Sequence, residues 1–135
     1  MSASSRLPLM IVDDDDDLRN ALADIMTAQG YEVAAFADAR AALAALSGGV
    51  TPFLILLDLM MPGMSGWDFR AAQLENPALA LIPVVVVTAA GHLGDAARTL
   101  SSVEVLHKPF ALEILLPVVE RYAAAPRAHP GRLTD

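Results

Sequence analysis

Short apolar runs alternate five times with alanine-rich stretches along this chain. Runs of a few β-branched or aliphatic residues bounded by turn residues are typical of buried strands. They predict strands at residues 7–12, 31–36, 53–57, 82–87 and 104–106. The intervening stretches have the length and composition of helices, at about 17–29, 39–48, 67–75, 95–100 and 111–124, of which the fourth is weak. Alternation of strand and helix predicts an α/β fold with a doubly wound, five-stranded parallel sheet and five helices.

Helix boundaries are indicated by short polar residues, glycine and proline. Asp16 and Asp38 are predicted N-caps, because an aspartate oxygen accepts a hydrogen bond from the first helical turn. Gly30 is the predicted stop of the first helix. Pro117 falls inside the last predicted helix, where it should cause a kink or shift the boundary.

The composition predicts one folded domain. The chain has 135 residues, of which 55% are hydrophobic and 19% charged, and this is enough to build a substantial core. No internal repeat or second domain is evident. We assign the domain to residues 6–124 and expect residues 125–135, which contain two prolines and a glycine, to form a flexible tail.

Charge and hydropathy exclude several classes of function. A net charge of −7 argues against nucleic-acid binding, which needs a basic surface. The longest apolar stretch, residues 78–87, is far shorter than the about 20 residues that cross a bilayer, so no membrane association is expected. The chain lacks cysteine and an apolar signal segment, and both absences predict a cytoplasmic protein.

Polar groups follow four of the five predicted strands at the point where each strand ends. Asp13 and Asp14 follow the first strand, Asp58 the third, Thr88 the fourth, and Lys108, the only lysine, the fifth. The carboxyl ends of parallel strands share one edge of a sheet, where α/β proteins bind ligands. We therefore expect these side chains to converge.

The converging groups suit phosphoryl transfer. Three neighbouring carboxylates repel one another unless a cation compensates them, and Mg²⁺ (or Mn²⁺) prefers oxygen ligands such as these. The backbone carbonyl of Met60 is placed to join Asp13, Asp14 and Asp58. Asp58 can then act as a nucleophile, because carboxylates form aspartyl-phosphate intermediates. The hydroxyl of Thr88 and the ammonium of Lys108 can contact the remaining phosphate oxygens.

Each of these residues also has an ordinary structural interpretation. A single aspartate at a strand end is often only a helix cap, and residues 15–17 are best interpreted as a solvated acidic loop. His92 and His107 have no partner at metal-ligand spacing. Trp67 and Phe69 are expected to pack the third helix onto the core. Only the coincidence of four suitable groups at four strand ends makes the chemical interpretation the stronger one.

Four segments carry a clear resemblance to a known family. They are MIVDDDDDLR (10–19), LLDLMMPGMSG (56–66), VVTAA (86–90) and LHKPF (106–110). The chain resembles the receiver domain of bacterial two-component response regulators, of the stand-alone chemotaxis-regulator type with a flavodoxin-like fold. The resemblance implies strand order 2-1-3-4-5 and a cis peptide bond at Pro109. It also implies Asp58 as phosphoacceptor, Asp13, Asp14 and the Met60 carbonyl as metal ligands, and Thr88 and Lys108 as phosphate contacts.

The same resemblance implies the biological role. Receiver domains take phosphate from a sensor histidine kinase or a histidine phosphotransfer protein and then change their binding to a protein target, here unknown. Such a domain gains and loses phosphate by Mg²⁺-assisted chemistry of its own but is a signalling protein and not an enzyme. This chain departs from the family at Val105, where an aromatic switch residue is usual, and in a shorter segment between Thr88 and Lys108. The phosphorylation chemistry therefore looks intact and the readout surface altered.

Two alternatives compete with this interpretation. A haloacid-dehalogenase-type hydrolase also uses an aspartate nucleophile, a threonine and a lysine, but its nucleophile lies on the first strand and an acidic pair follows the lysine. No acidic pair follows Lys108 here. The other alternative is a receiver-like interaction module that works independently of phosphorylation, which Val105 and the weak fourth helix would suit.

Overall fold

A five-stranded, all-parallel sheet forms the centre of the molecule in a computed structural model that describes residues 7–89 and 104–124. The strand order is β2-β1-β3-β4-β5, as the family resemblance implies. The strands are β1 (Leu9–Val12), β2 (Val33–Phe36), β3 (Leu54–Asp58), β4 (Val84–Thr88) and β5 (Glu104–His107). All five predicted strands are therefore confirmed, with ends that differ by up to two residues. Both β3 and β4 extend to include the polar residue predicted to follow them.

Five helices lie within the described ranges. They are α1 (Asp16–Ala28), α2 (Ala39–Ser47), α3 (Gly66–Glu75), α4 (Pro77–Ala80) and α5 (Leu112–Ala124). The single turn α4 was not expected. It forms because Asn76 caps it through the amide of Ala78 and because Pro77 suits the first position of a helix. The helix expected at 95–100 and the tail expected at 125–135 lie outside the described residues.

The predicted helix caps are correct in two cases and displaced in one. Asp38 caps α2 by accepting from the amide of Ala41 at 2.8 Å, and Gly30 follows α1 with a φ of 98°. The N-cap of α1 is Asp15 and not Asp16, because the Asp15 carboxylate accepts from the Leu18 amide at 3.1 Å. Asp16 is instead the first residue of the helix.

Pro117 does not shift a boundary of α5, which runs on both sides of it. Pro117 and Glu113 lie on the exposed side of the helix, so water can reach the Glu113 carbonyl that loses its intrahelical partner. The opposite side buries Leu115, Val118 and Val119 against the sheet. Packing of that face keeps the helix continuous.

The core has two layers, one on each face of the sheet. On one face Leu46 of α2 and Phe69 of α3 pack against alternate strand residues. On the other face Met26 of α1 and Leu115 of α5 do the same. Every residue of β1, β3 and β4 is buried, as expected for apolar strands of a parallel sheet that helices cover on both faces.

Strand register brings the polar strand ends to one edge. Val12 pairs with Leu57, so Asp13, the next residue after β1, lies at the level of Asp58. Asp58 pairs with Val87, and Thr88 pairs with His107. The residues that follow these pairs therefore share the carboxyl edge of the sheet. In the described part of the chain, no helix is long and apolar enough to cross a membrane.

Candidate functional site

Three carboxylates meet at the carboxyl edge of β1 and β3. One oxygen from each of Asp13, Asp14 and Asp58 lies within 4.8 Å of the others. Asp13 and Asp58 are buried, with exposed fractions of 4% and 5%, whereas Asp14 is exposed. The prediction from the sequence that these three side chains lie close together is thus confirmed.

Both carboxylate oxygens of Asp13 accept hydrogen bonds within the protein. Oδ1 accepts from the backbone amide of Asp15 at 2.9 Å, and Oδ2 accepts from the Lys108 ammonium at 2.9 Å. In Asp58, Oδ1 accepts from the amide of Met60 at 3.2 Å. Asp13 is therefore held more firmly than Asp58, and the exposed Asp14 faces solvent at the rim.

Lys108 connects the acidic cluster to the end of β4. Its ammonium lies 2.9 Å from Oδ2 of Asp13 and 3.7 Å from Oδ2 of Asp58. Its backbone amide donates to the Thr88 carbonyl at 2.8 Å, and the peptide bond to Pro109 is cis, as the family resemblance implies. Desolvation lowers the pKa of Lys108, but the hydrogen bond to Asp13 and the charges of Asp58 and Asp13 raise it more, so the net shift of this pKa is upward. The ammonium stays charged.

Asp58 is held in an environment that disfavours its charge. Burial is the largest cause, and the negative charge of Asp13 adds to it, so the pKa of Asp58 rises from 3.8 to about 6. Lys108 and the Met60 amide act in the opposite direction and do not cancel the rise. A carboxyl group with this pKa is mainly ionised at pH 7, yet its charge is poorly compensated.

Thr88 ends β4 and is fully buried. The register places it one residue beyond Val87, the neighbour of Asp58. Thr88 lies on β4, the strand next to Asp58, and its carbonyl accepts a hydrogen bond from the backbone amide of Lys108. The threonine and the lysine therefore lie on the same side of the acidic cluster.

A close contact at Gly66 positions the loop that follows Asp58. The Gly66 amide donates to the Leu59 carbonyl at 3.0 Å. A Cβ atom at Gly66 would lie 2.5 Å from the Asp58 carbonyl oxygen and 2.7 Å from the Leu59 Cα, so only glycine fits. Ser65 and Asp68 form a capping box that starts α3 at this point. The third helix was expected to begin at residue 67, and this role of Gly66 was not predicted from the sequence.

Arg19 is a second residue that sequence reasoning missed. Its guanidinium donates to the Asp13 carbonyl at 2.8 Å and to Oδ1 of Asp16 at 2.6 Å. The side chain is 14% exposed, which is low for arginine. The spacing of Asp16 and Arg19, three residues apart on a helix, predicts the ion pair but not the contact with the carbonyl.

The remaining candidates behave as ordinary structural residues. Phe69 is fully buried in the core, and Trp67 is partly buried against the same cluster. His107 is exposed and takes no part in the acidic cluster, whereas His92 lies outside the described residues. Val105 is buried opposite Val86 on β4.

The donor set suits a hard divalent cation. Carboxylate oxygens are the ligands that Mg²⁺ and Mn²⁺ prefer. Asp13 lies close enough to Asp58 for its negative charge to raise the pKa of Asp58. A bound cation would offset this repulsion. The backbone amide of Met60 donates to the Asp58 carboxylate. The Met60 carbonyl belongs to the same residue and therefore to the same loop beside the cluster.

Comparison with known proteins assigns this chain to a protein family. A family model described as the response regulator receiver domain matches residues 9–120. Nodulation protein W of Bradyrhizobium diazoefficiens is 34% identical over 120 residues, which are 87% of this chain and 51% of that protein. Protein PilG of Pseudomonas aeruginosa is 30% identical over 88% of this chain and 89% of its own length.

A solved structure of a chemotaxis protein is also similar to this chain in fold and in sequence. Chemotaxis protein CheY4 of Vibrio cholerae has a TM-score of 0.77 and 27% identity, covering 87% of this chain and 98% of that one. Several curated relatives are much longer than the match, since this chain spans 51%, 24% and 20% of three of them.

Proposed function

Because this chain belongs to the family of response regulator receiver domains, we propose that it is a phosphoacceptor signalling domain of a two-component system. In this proposal Asp58 receives a phosphoryl group from a histidine kinase or a histidine phosphotransfer protein. Phosphorylation then changes the binding of the domain to a protein target. The protein acts as a signalling component rather than as an enzyme.

One observation carries the proposal. Asp58 is a buried carboxylate with two further carboxylates and one ammonium beside it, all at the carboxyl edge of a parallel sheet. A helix cap needs none of these neighbours. A nucleophilic carboxylate needs them, because the charge that accumulates around a transferred phosphoryl group must be neutralised from several sides.

The acidic cluster would hold Mg²⁺ (or Mn²⁺), with Asp13, Asp14, Asp58 and the Met60 carbonyl as the proposed ligands. When bound, such a cation neutralises charge on the transferred phosphoryl group. Both oxygens of Asp13 are already engaged by the Asp15 amide and by Lys108. The exposed Asp14 is therefore the ligand most open to an incoming cation.

Asp58 supplies the attacking oxygen. A carboxylate oxygen forms the new bond to phosphorus while the bond between phosphorus and the donor atom breaks, and the bonding electrons leave with the donor. Attack requires the ionised carboxylate, and a pKa of about 6 leaves it mainly ionised at pH 7. The hydrogen bond from Met60 to Oδ1 fixes the orientation of the carboxylate.

Lys108 and Thr88 would hold the transferred group. The Lys108 ammonium lies 2.9 Å from Asp13 and 3.7 Å from Asp58, a difference of 0.8 Å. It is therefore hydrogen-bonded to Asp13 and lies next to Asp58. We expect it to turn towards the phosphoryl group when Asp58 is modified. The Thr88 hydroxyl is the proposed donor to a further phosphate oxygen.

Val105 favours a second candidate function, an interaction module that works without phosphorylation. Val105 is buried and stiff at χ1, so it cannot swing in the way that an aromatic residue would at this position. The complete acceptor set makes this the weaker candidate, since a module that did not use phosphate would have no need of it.

Incubation with acetyl phosphate and Mg²⁺ tests the proposed function. The wild-type protein should gain one phosphoryl group that hydroxylamine removes, as expected for an acyl phosphate. Asp58→Asn should gain none, and Asp24→Asn, at an exposed position on α1, should react like wild type. Equal labelling of all three proteins, or labelling without Mg²⁺, would contradict the proposal.

A further inference from the structure

The loop between β1 and α1 is held by hydrogen bonds at successive positions. Asp13 accepts from the Asp15 amide, and the Asp15 carboxylate caps α1 through Leu18. Arg19 adds a third restraint from the first part of α1, because one nitrogen of its guanidinium donates to the Asp13 carbonyl and another to Asp16. One side chain thus ties both ends of the loop together.

The restraint on the Asp13 carbonyl acts directly on Asp14. The peptide group is planar, so the carbonyl of Asp13 and the Cα of Asp14 lie in one rigid unit. A hydrogen bond of 2.8 Å from Arg19 to this carbonyl therefore fixes the plane from which the Asp14 side chain projects. Asp14 is the exposed member of the three carboxylates, whereas Asp13 and Asp58 are buried.

We propose that Arg19 is a positioning residue that orients the Asp13–Asp14 peptide for cation binding. This inference rests on the proposed function. Arg19 itself does not touch the cation, the phosphoryl group or Asp58. Its forked guanidinium is suited to the task, because it reaches the carbonyl and the Asp16 carboxylate at once, which the single ammonium of lysine cannot do in the same geometry.

Charge and positioning predict opposite results when Arg19 is replaced. Arg19 is a cation close to the acidic pair, so removing its charge should tighten the binding of another cation. If Arg19 orients the loop, its removal should instead weaken binding, as loss of partners that orient metal ligands generally does. The sign of the change therefore separates the two roles.

The experiment is a Mg²⁺ titration of the full chain followed by Trp67 fluorescence. Arg19→Met keeps an unbranched apolar side chain but removes the donors, and its Kd for Mg²⁺ should rise about tenfold. Arg19→Lys keeps the charge and should also bind more weakly than wild type, by a smaller factor. Asp16→Asn leaves the contact with the carbonyl in place and should bind within about twofold of wild type, because the exposed ion pair contributes little.

Arg121→Met is the matched control. Arg121 makes an ion pair of the same 2.6 Å length, with Glu104, away from the acidic cluster, so its loss should leave the Kd unchanged. At saturating Mg²⁺ the rate of phosphorylation of Arg19→Met should return to within about twofold of wild type, because the loss is one of binding. A general structural defect would lower this rate as well and would count against the inference.

The outcomes distinguish failure of the inference from failure of the proposed function. If wild type binds Mg²⁺ and Arg19→Met binds it as tightly or more tightly, the positioning role is wrong and the proposed function stands. If Arg19→Met does not fold, Arg19→Lys decides, and an affinity equal to that of wild type would overturn the inference. If wild type itself shows no Mg²⁺ binding, both the metal site and the role of Arg19 are wrong.

Discussion

The Lys108 ammonium donates to Oδ2 of Asp13 at 2.9 Å, although the two residues lie 95 positions apart in the chain. This contact joins the end of β5 to the end of β1 across the acidic cluster. It leaves Asp58 with the more distant and weaker interaction, at 3.7 Å. The acceptor carboxylate consequently retains a raised pKa, and the lysine is already in place to respond to a new negative charge on Asp58.

Ionised Asp58 should destabilise the protein in the absence of a divalent cation. The pKa of Asp58 is about 6 in the folded protein and 3.8 when unperturbed, so the folded state binds the proton more tightly. The free energy of unfolding should therefore fall as the pH rises from about 4 to about 6, by an amount on the order of 1–3 kcal/mol. Urea unfolding of wild type and Asp58→Asn in EDTA measures this effect. The variant should be the more stable protein at pH 7, with the difference vanishing near pH 4, and a difference that does not vary with pH would contradict the assignment.

Asp14→Ala should weaken Mg²⁺ binding far more than Asp17→Ala. Asp14 belongs to the carboxylate cluster, whereas Asp17 is an exposed residue in the first turn of α1. We expect a loss of more than about tenfold for the first variant, because a cation ligand disappears. The loss for the second should be below about threefold, since exposed charges are screened. Trp67 fluorescence can report both, because Trp67 follows Gly66, which packs against the backbone of Asp58 at the end of β3. Similar losses for the two variants would show that the cluster acts only as a diffuse acidic surface.

Gly66→Ala should be one of the most damaging single methyl additions in the described part of the domain. The new Cβ would meet backbone atoms of Asp58 and Leu59, which cannot move aside as a flexible side chain could. We expect a loss of about 2–3 kcal/mol in the free energy of unfolding together with slower phosphorylation, because the strand that carries Asp58 must shift. Gly63→Asn is the control, since space is open there and asparagine tolerates its φ of 74°, and it should cost less than about 1 kcal/mol. A Gly66→Ala protein as stable as this control would refute the close-contact argument.

Gln73→Ala should destabilise the protein although Gln73 lies away from the acidic cluster. The fully buried amide of Gln73 accepts from Arg70 and donates to the carbonyls of Leu79 and Ile82. Its removal leaves buried polar groups without these bonds, at a cost of about 2–4 kcal/mol. Thermal and urea unfolding measure the loss. Gln29→Ala, at an exposed position, should change the stability by less than about 0.5 kcal/mol, and equal effects of the two substitutions would show that the buried network contributes little.

Sequence patterns predict the fold well where one physical signal dominates. Unbroken apolar runs identify β3 and β4 because both faces of the sheet are covered by helices. The cap of α1 is displaced by one position because several successive aspartates can each serve as a cap, and only the backbone decides between Asp15 and Asp16. The turn α4 was missed because Asn76 and Pro77, which end one helix, also begin the next.

The candidate site is predicted by a different argument, the position of polar groups at strand ends. That argument finds Asp13, Asp14, Asp58, Thr88 and Lys108. It cannot find Arg19 or Gly66, whose roles depend on distances to backbone atoms of other residues. The buried pair Arg70 and Gln73 is missed for a different reason, since polar residues on a helix are normally expected to be exposed.

Chemical localisation of the phosphoryl group tests the central claim most directly. The full chain is incubated with acetyl phosphate and Mg²⁺ and then treated with borohydride, which reduces an aspartyl phosphate to homoserine. Peptide mass mapping then locates the converted residue, with an Mg²⁺-free sample as the control. We predict homoserine at position 58 in the Mg²⁺-treated wild type alone. Homoserine at Asp13, Asp14 or another acidic residue, or no conversion in the presence of a donor and Mg²⁺, would contradict the account.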